Sequence, residues 1–257
     1  MSFKKDGRKF KFDTDEFEIA IISDWHLGAP ACCVDMINRQ IEYIKKTKNC
    51  YAIVCGDILE TAIYGSKGLV HEQKFFSNEQ VKIAKSFLDK IQDKTLFVLG
   101  GNHCFRINKA TTLDIMEMFC GWANLNYQGP EYHFALQCKR GNVLSCFAGH
   151  GRGSGQTPGA KLNSLHSLHW RLPAGDIIIG GHTHGSDCTE QPIYYLDKNF
   201  NLVEKIQHFV AGWSALSSDK GYAARAHFRP LSNGWHSIKI KLNRTLESFD
   251  INIIKHR

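Results

Sequence analysis

The stretch that decides the fold is Asp176-Ile177-Ile178-Ile179-Gly180-Gly181-His182-Thr183-His184. Its run of isoleucines is short and apolar, which is typical of a fully buried strand. Because alternate side chains of an extended chain point the same way, we expect His182 and His184 to emerge together at the end of that strand. The paired glycines keep the backbone thin where another group must approach closely. Two imidazoles placed in this way suit a metal ion, although two surface histidines in a loop would give the same pattern.

The same pattern occurs at the ends of earlier strand candidates. These apolar segments are residues 17–23, 51–55, 95–99 and 142–148. The polar residues that follow them, each near a glycine, are Asp24 and His26, Asp57, Asn102 and His103, and His150. In α/β sheets ligand sites lie outside the carboxyl ends of the strands, so these side chains are expected to converge although they are far apart in the sequence. Repetition at so many strand ends favours a ligand site over a purely structural protein.

Segments with helical periodicity alternate with these strands, which indicates an α/β fold. The helix candidates are residues 35–48, a segment that begins at Ser77, residues 112–120 and residues 160–171. From residue 131 the hydrophobic period changes to two, and residues 131–137 and 142–148 predict a hairpin. The tail from Pro192 predicts short strands and turns. Because no linker or internal repeat interrupts this pattern, the sequence is interpreted as one domain, residues 1–257.

The composition is that of a globular protein with a sizeable core, since 43% of the 257 residues are hydrophobic and 11% are aromatic. No apolar run reaches the ~18 residues that a membrane span needs. The N-terminus is basic but has no apolar segment behind it, so it does not predict a signal peptide. The nine cysteines are an odd number and form no C-x-x-C motif. These features favour reduced thiols and a cytoplasmic, non-secreted protein.

The formal net charge is +7, and basic residues gather near both ends of the sequence. Such a charge favours anionic partners, nucleic acid among them, although an ordinary solvated basic surface has the same composition. Several aromatic residues could stack on bases or belong to the core, namely Trp170, Trp213, Tyr222, Phe228 and Trp235. The glycine-rich loop 151–159 could cradle an anion or form a rim of the site, and we favour the rim.

The donor types at the strand ends predict the chemistry. With His103 set aside, the candidate ligands are Asp24, His26, Asp57, Asn102, His150, His182 and His184. Carboxylate, amide and imidazole donors without thiolates suit Mn²⁺, Fe or Zn²⁺, and these side chains are too many for one tetrahedral zinc. They fit two metals that share one carboxylate. Two divalent cations together carry about four positive charges, and the two aspartates offset two of them. A bridging hydroxide and a phosphate oxyanion would balance the rest. This balance favours phosphoester hydrolysis.

The ordered motifs resemble the calcineurin-like metallophosphoesterases, in particular small single-domain phage and bacterial members with exonuclease-like relatives. Their pattern of D-x-H, G-D, G-N-H, G-H and G-H-x-H stands here as Asp24-Trp25-His26, Gly56-Asp57, Gly101-Asn102-His103, Gly149-His150 and Gly181-His182-Thr183-His184. The resemblance covers residues 17–184. It implies a four-layer αββα sandwich in which two mixed β-sheets are flanked by helices. The strands after residue 131 would form the second sheet, and strands in residues 192–257 would complete it.

The resemblance also implies a role for each site residue. Asp24, His26 and His184 would hold the first metal, and Asp57 would bridge to the second. Asn102, His150 and His182 would hold the second metal. His103 is similar to the family's non-ligand histidine, which acts as the general acid. The two divalent cations are expected to be Mn²⁺, with Fe, Zn²⁺ or Ni²⁺ as alternatives.

Two residues beside these motifs allow more than one interpretation, and a third departs from the family's pattern. Glu60 is placed like the carboxylate that orients the general-acid histidine in some relatives, but a solvated residue at a helix start would look the same. Arg106 could bind a phosphate in a bidentate manner or lie on the surface. Many relatives have an acidic residue after G-N-H, whereas this chain has Cys104, so no role of the acidic residue carries over to that position.

The sequence therefore predicts a metal-dependent phosphoesterase. The first hypothesis for its substrate is the ends of DNA or RNA, because of the basic termini and the loop aromatics. A phosphatase or pyrophosphatase for nucleotides or phosphoproteins is the alternative. A non-catalytic nucleic-acid-binding module on the same scaffold is a further alternative, against which the complete ligand set argues. No membrane contact and no obligate protein partner are expected, and a phage protein of this kind would work in the host cytoplasm.

Overall fold

A computed structural model of the protein describes residues 3–153, 155–225, 227, 229–230, 232–243 and 245–257, without the side chains of residues 222 and 223. The strands are β1 (Phe3–Asp6), β2 (Lys9–Phe12), β3 (Glu16–Ile22), β4 (Cys50–Cys55), β5 (Thr95–Leu99), β6 (Glu131–Gln137), β7 (Val143–Gly149), β8 (Ile177–Gly180), β9 (Cys188–Leu196), β10 (Leu202–Ala211), β11 (Trp235–Asn243) and β12 (Ser248–His256). The α-helices are α1 (Val34–Lys46), α2 (Ser77–Leu88), α3 (Asn102–Thr111), α4 (Ile115–Ala123), α5 (Pro158–His166) and α6 (Gly221–Arg225). Short 3₁₀ segments are Val70–Glu72, Asp89–Lys94 and Ser167–Arg171.

The strands form two mixed sheets. One sheet has five strands in the order β12-β11-β3-β4-β5, and the other has seven in the order β1-β2-β6-β7-β8-β10-β9. The central strands β3, β4 and β5 run parallel, as do β7, β8 and β10. The carboxyl ends of neighbouring parallel strands therefore lie side by side in each sheet, as the repeated motifs require.

Three apolar clusters divide the protein into four layers. Side chains from both sheets, such as Phe17 and Ile53 of one and Phe134 and Ile179 of the other, pack together in the cluster between the sheets. The outer face of the five-stranded sheet is covered by α1, α2 and α4. The outer face of the seven-stranded sheet is covered by α5 and the 3₁₀ turn that follows it. The expected α/β fold class, two mixed sheets flanked by helices, is confirmed.

Burial follows the sequence pattern. Every residue of β4 is buried, as expected for a central strand with apolar material on both faces. Along β6 buried and half-buried residues alternate, which is the period of two predicted for this hairpin. In α1 the buried side is formed by Met36, Ile37, Gln40, Ile41 and Ile44, which recur at helical spacing.

The strands after residue 192 do not all join the second sheet, so that expectation is wrong in part. Strands β9 and β10 extend the seven-stranded sheet, whereas β11 pairs antiparallel with β3 and, with β12, extends the five-stranded sheet. The reason is burial: Ile238, Ile240 and Leu242 of β11 add to the apolar layer between the sheets, and β3 would otherwise end in an open edge.

Some elements differ from the predicted ones. The sequence does not predict the first two strands or α3. The helix expected at 112–120 lies at Ile115–Ala123. It begins there because Asp114 caps its N-terminus, accepting hydrogen bonds from Met116 N and Glu117 N at 3.0 Å. Trp213 and Trp235 belong to the buried residues, whereas Trp170 is 79% exposed. Phe228 and the side chain of Tyr222 lie outside the described residues. In the described part of the chain, no helix combines the length and apolar character that crossing a bilayer requires.

Candidate metal centre

The loops that follow the parallel strands are joined directly to one another. Asp24 N donates to Gly56 O at 3.1 Å and His26 N donates to Asp57 O at 3.0 Å, so the ends of β3 and β4 stay paired beyond the sheet. In the other sheet Gly181 N donates to Gly149 O at 3.3 Å. The two sheets meet where His182 N donates to Asp24 Oδ2 at 3.0 Å. The strand ends therefore converge at one edge of the sandwich.

The first group of candidate ligands is Asp24, His26 and His184, whose donor atoms lie within 4.8 Å of one another. His184 Nε2 is 3.1 Å from Asp24 Oδ1 and 3.1 Å from His26 Nε2. His26 Nε2 is 3.6 Å from the same Asp24 oxygen. Asp24 and His26 are buried, and His184 is half-buried. This is a three-donor cradle with the separations that ligands of one cation have.

The second group is Asp57, His150 and His182, again with donor atoms within 4.8 Å. His150 Nε2 lies 3.0 Å from Asp57 Oδ2 and 3.0 Å from the side-chain oxygen of Asn102. The other ring nitrogen of His150 is 2.9 Å from Cys55 O, which fixes the ring and directs Nε2 toward the cluster. All seven candidate ligands are thus found in two adjoining groups.

Two carboxylate oxygens test whether these groups suit metal ions. Asp24 Oδ1 and Asp57 Oδ2 are completely buried, and neither accepts a hydrogen bond from any described residue. A buried anionic oxygen that has imidazole nitrogens beside it but no well-formed hydrogen bond is costly, and a cation held between the oxygen and those imidazoles removes that cost. One such oxygen lies in each group, together with nitrogen donors that suit Mn²⁺, Fe or Zn²⁺. The residues therefore fit two divalent cations.

His103 is the first residue after Asn102 in α3 and lies beside both groups. Its Nδ1 is 3.2 Å from Glu60 Oε2 and 3.0 Å from Glu60 O, and its Nε2 is 3.9 Å from Asp57 Oδ2. The same Glu60 oxygen is 3.0 Å from His26 Nδ1. Glu60 is only 8% exposed, so it is not a solvated residue at a helix start. One carboxylate therefore orients both a candidate ligand and the candidate general acid.

Burial and charge act against each other on these groups. Burial alone would raise the pKa of Asp24, but His184 and His26 hold it well below its usual range. Burial likewise opposes ionisation of Glu60, and hydrogen bonds from His103 and His26 lower the pKa of Glu60. Burial would lower the pKa of His26, whereas Asp24 and Glu60 raise it to about 10. The carboxylates are therefore ionised.

The backbone at the candidate ligands is unusual. Asp24, His26, Asp57, His182 and His184 have positive φ values between 48° and 66°. Few residues other than glycine adopt this left-handed region, and strained residues of this kind cluster at functional sites. Strands β3, β4 and β8 thus end in sharp turns that aim these side chains into the site.

The site opens into a cavity of about 820 Å³ that reaches His26, Asp57 and His184. Arg106 lines it, and Arg106 Nη1 is buried without a hydrogen-bond partner among the described residues. Arg106 is therefore half-buried in the site cavity and not a plain surface arginine. The loop 151–159 contributes Gly153, Gly155 and Gln156 to the lining, as the rim interpretation predicts.

Lys161 is a residue of the cavity that the sequence analysis missed. Its side chain is 7% exposed and lines the cavity from the first turn of α5. Burial lowers the pKa of Lys161, while Asp187 and Asp24 act in the opposite direction. The one signal in the sequence is its position directly after the glycine-rich loop.

Cys104 turns away from the metal groups. It is 4% exposed and belongs to the apolar cluster beneath α3 and α4, with Met116 and Cys120. Burial raises the pKa of the Cys104 thiol, and the Asp57 charge adds to this. The thiol therefore stays protonated and packs as a small apolar side chain.

Comparison with known proteins gives one family and two structural likenesses. The family described as calcineurin-like phosphoesterase matches residues 17–186. A conserved uncharacterized protein from Streptococcus pneumoniae, described as a predicted phosphoesterase, is 12% identical with a TM-score of 0.39, covering 94% of this chain and 92% of its own. A protein serine/threonine phosphatase from Saccharomyces cerevisiae is also 12% identical with a TM-score of 0.39, covering 95% of this chain and 81% of its own. No curated protein matches the chain.

Proposed function

The chain belongs to the calcineurin-like phosphoesterase family, and on that premise we propose that it is a phosphoester hydrolase that uses two divalent cations and acts on nucleic acid. One observation carries the proposal. Two buried carboxylate oxygens, Asp24 Oδ1 and Asp57 Oδ2, each face imidazole nitrogens and accept no hydrogen bond from any described residue. This arrangement is stable when each oxygen binds a cation.

We assign the ligands by the two groups. Asp24, His26 and His184 would hold one cation, while Asn102, His150 and His182 would hold the other. Asp57 would serve both. The expected metal is Mn²⁺, with Fe, Zn²⁺ and Ni²⁺ as alternatives, because the oxygen and imidazole donors suit all of them.

The cations would supply Lewis-acid stabilisation of the phosphoryl oxygens and an activated water. The residues of the chain do the rest. Glu60 contacts Nδ1 of His103 and leaves Nε2 of the ring available. Nε2 can therefore donate a proton to the leaving oxygen. Arg106 has a buried N–H that can donate a hydrogen bond to a phosphoryl oxygen. Lys161 adds a second positive charge in the same cavity.

The charge of the cavity favours a polyanionic substrate. The cations that line it include Arg106, Lys161, Lys220 and Arg229. The carboxylates are Asp57 and Glu60 of the site itself, together with Glu72, which is ion-paired with Arg225. Such an excess of positive charge attracts a phosphate backbone.

The test begins with protein that has been stripped by EDTA and then titrated with Mn²⁺, Fe²⁺, Zn²⁺ or Ni²⁺. We expect hydrolysis of bis(p-nitrophenyl) phosphate to return with the metal and to exceed hydrolysis of p-nitrophenyl phosphate. Asp57→Asn should lose metal occupancy, measured by elemental analysis. His103→Ala should keep both metals and lose activity by about 10²- to 10⁴-fold on substrates with poor leaving groups, which need a proton most.

His71→Ala is the matched control, since His71 is an exposed histidine that does not line the cavity. Activity in the stripped protein would contradict metal dependence, and full activity of His103→Ala on a poor leaving group would contradict the general acid. Preference for the monoester would favour a phosphatase or pyrophosphatase. Binding of nucleic acid with no hydrolysis under any metal would favour a non-catalytic module.

A further inference from the structure

The metal groups lie between two cavities, and the proposed function uses only one of them. The second cavity has a volume of about 700 Å³ and is lined by Asn102 and His150 of the second metal group. Asn102 also lines the first cavity. The two cavities therefore meet at the candidate metal centre and leave it in different directions.

The N-terminal turn of α3 is the ridge between the cavities. His103 and Arg106 face the first cavity, whereas Cys104, Phe105 and Asn108 line the second. The far wall of the second cavity is formed by the residues around Pro130 and by the loop after β7. A phosphate at the metals thus has open space on both of its sides.

This geometry discriminates between substrates. A phosphomonoester has one substituent and needs one cavity. A phosphodiester has two substituents on the same phosphorus, and cavities of about 820 and 700 Å³ are each large enough for a drug-sized group. The second cavity is therefore explained by a substituent on the other side of the scissile bond.

Each cavity also presents an aromatic ring and a positive charge. Tyr64 lines the first cavity and is fully exposed, and Phe105 lines the second and is 63% exposed. Arg152 is an exposed cation of the second cavity, whereas Arg171 is ion-paired with Glu131. Exposed rings offer stacking platforms to unpaired bases, and such stacking does not depend on the base.

We propose that the substrate is a single-stranded nucleic acid that passes through both cavities, so that the enzyme cleaves internal phosphodiester bonds and does not require an end. The inference rests on the proposed phosphoesterase function. In the reaction, the oxygen of a water that releases a proton to solvent bonds to phosphorus, the bond between phosphorus and one strand oxygen breaks, and that oxygen takes a proton from His103, which regains one from solvent. Each event leaves one strand end with a phosphate and the other with a hydroxyl.

The decisive substrate is a circular single-stranded oligonucleotide, which has no ends. We expect the Mn²⁺-loaded protein to linearise the circle and then to shorten it to fragments, as seen on a denaturing gel. A linear oligonucleotide of the same sequence should give internal fragments from the start. An intact circle with stepwise loss of mononucleotides from the linear strand would overturn the inference while the phosphoesterase function stands.

Phe105→Ala tests the path through the second cavity. We expect kcat/KM on the oligonucleotide to fall about 5- to 150-fold, the value of one stacked base, mainly through KM. The loss on bis(p-nitrophenyl) phosphate should be smaller. Phe105→Tyr keeps the ring and should restore most of the activity. Met118→Ala is the matched control, because Met118 is a 59% exposed apolar residue of α4 that lines neither cavity.

The remaining outcomes separate the two claims. Equal losses on both substrates for Phe105→Ala, or no loss on either, would overturn the proposed path. Hydrolysis of a phosphoserine peptide together with intact oligonucleotides would overturn it in favour of a protein substrate. If no phosphoester is hydrolysed under any metal, the proposed function and the inference fail together.

Discussion

At Gly101 the chain passes so close to Asp57 that no side chain fits. A Cβ at this position would lie 2.6 Å from Asp57 N and would also overlap the Asp57 carboxylate. The glycine of the G-N-H motif is therefore explained by this close approach. Asp57 Oδ1 accepts from His103 N at 2.9 Å, so the same contact also fixes the start of α3.

Gly101→Ala should displace the Asp57 carboxylate and with it the proposed bridge between the cations. We expect loss of bound metal and of nearly all hydrolytic activity, measured by elemental analysis and by turnover of bis(p-nitrophenyl) phosphate. Gly121→Ala is the control, since Gly121 lies in α4 with nothing within 4 Å of its Cβ position. Alanine there should raise the free energy of unfolding by about 0.5–1 kcal/mol. Normal metal content in Gly101→Ala would contradict the explanation.

Glu60 shows how one residue can serve two others. A single oxygen, Oε2, lies within 3.2 Å of both His26 and His103. Because the carboxylate accepts from the outer nitrogen of each ring, the inner nitrogens are left for a cation and for the leaving group respectively. The orientation of a candidate metal ligand and of the candidate general acid is therefore coupled through one side chain.

Among the larger elements, the segment 61–76 forms one wall of the first cavity, and Gln80 of α2 bonds both of its ends. Gln80 is fully buried. Its Oε1 accepts from Thr61 N at 2.9 Å, and its Nε2 donates to Gln73 Oε1 at 2.6 Å and to Phe75 O at 2.7 Å. Both ends of the segment are therefore held by the same side-chain amide.

Gln80→Met keeps the volume and removes the amide. We expect the free energy of unfolding to fall by about 1–3 kcal/mol, because buried polar groups lose their partners. KM should rise while metal affinity stays constant, since the loosened segment lines the cavity but holds no candidate ligand. Gln137→Met is the control, a half-buried glutamine of β6 whose Nε2 donates to Gly141 O at 3.0 Å. A rise in KM of the same size for both variants would contradict this role.

An element can be predicted from the sequence when its own residues form an apolar run or an apolar stripe. The buried strands were predictable because an apolar run ended in polar residues each time. Helix α3 was not, because Cys104 is its one buried residue and exposed Phe105 breaks any apolar stripe. Strand β2 carries the signal of a strand, since Lys9 and Lys11 alternate with Phe10 and Phe12, but the same lysines also give this region the basic charge of a surface that binds anionic partners.

The candidate site divides in the same way. The seven candidate ligands and His103 follow from residue type at strand ends, a local signal that each sheet then brings together. Lys161 and the second cavity depend on how α5 and α3 pack, and the pairing of β11 with β3 joins residues far apart in the sequence. Local periodicity contains no information about such partners.

At the scale of the whole molecule, the two sheets contact each other, and His236 forms part of this contact. His236 begins the inner side of β11 in one sheet, and its Nδ1 donates to Ala211 O of β10 in the other at 2.7 Å. Cys188 Sγ lies 3.5 Å from its Nε2. Burial lowers the pKa of His236 to about 4, with Lys255 and His256 adding to the effect although the Ala211 bond opposes it.

This pKa predicts how stability depends on pH. Unfolded histidine titrates near 6.5, so between pH 6.5 and 4 the unfolded state binds a proton that the folded state does not. The stabilisation is complete above pH 6.5 and declines by about 3 kcal/mol as the pH falls to 4. Urea unfolding in EDTA should show a decline from pH 7 to pH 5 that is about 2 kcal/mol larger in the wild type than in His236→Asn. Equal declines in both proteins would contradict the assignment.

The backbone of Asp24 is held by the last third of the chain. Ser214 Oγ and Ala215 N both donate to Asp24 O at 3.1 Å, and β11 closes the edge of β3, the strand that precedes Asp24. These residues lie beyond the family match, which ends at 186. During translation, a nascent chain that already contains every candidate ligand therefore lacks the supports of Asp24 until β11 has left the ribosome. We therefore expect the candidate metal centre to form late, and a proteolytic fragment that ends at residue 186 would carry the whole motif without the supports of Asp24.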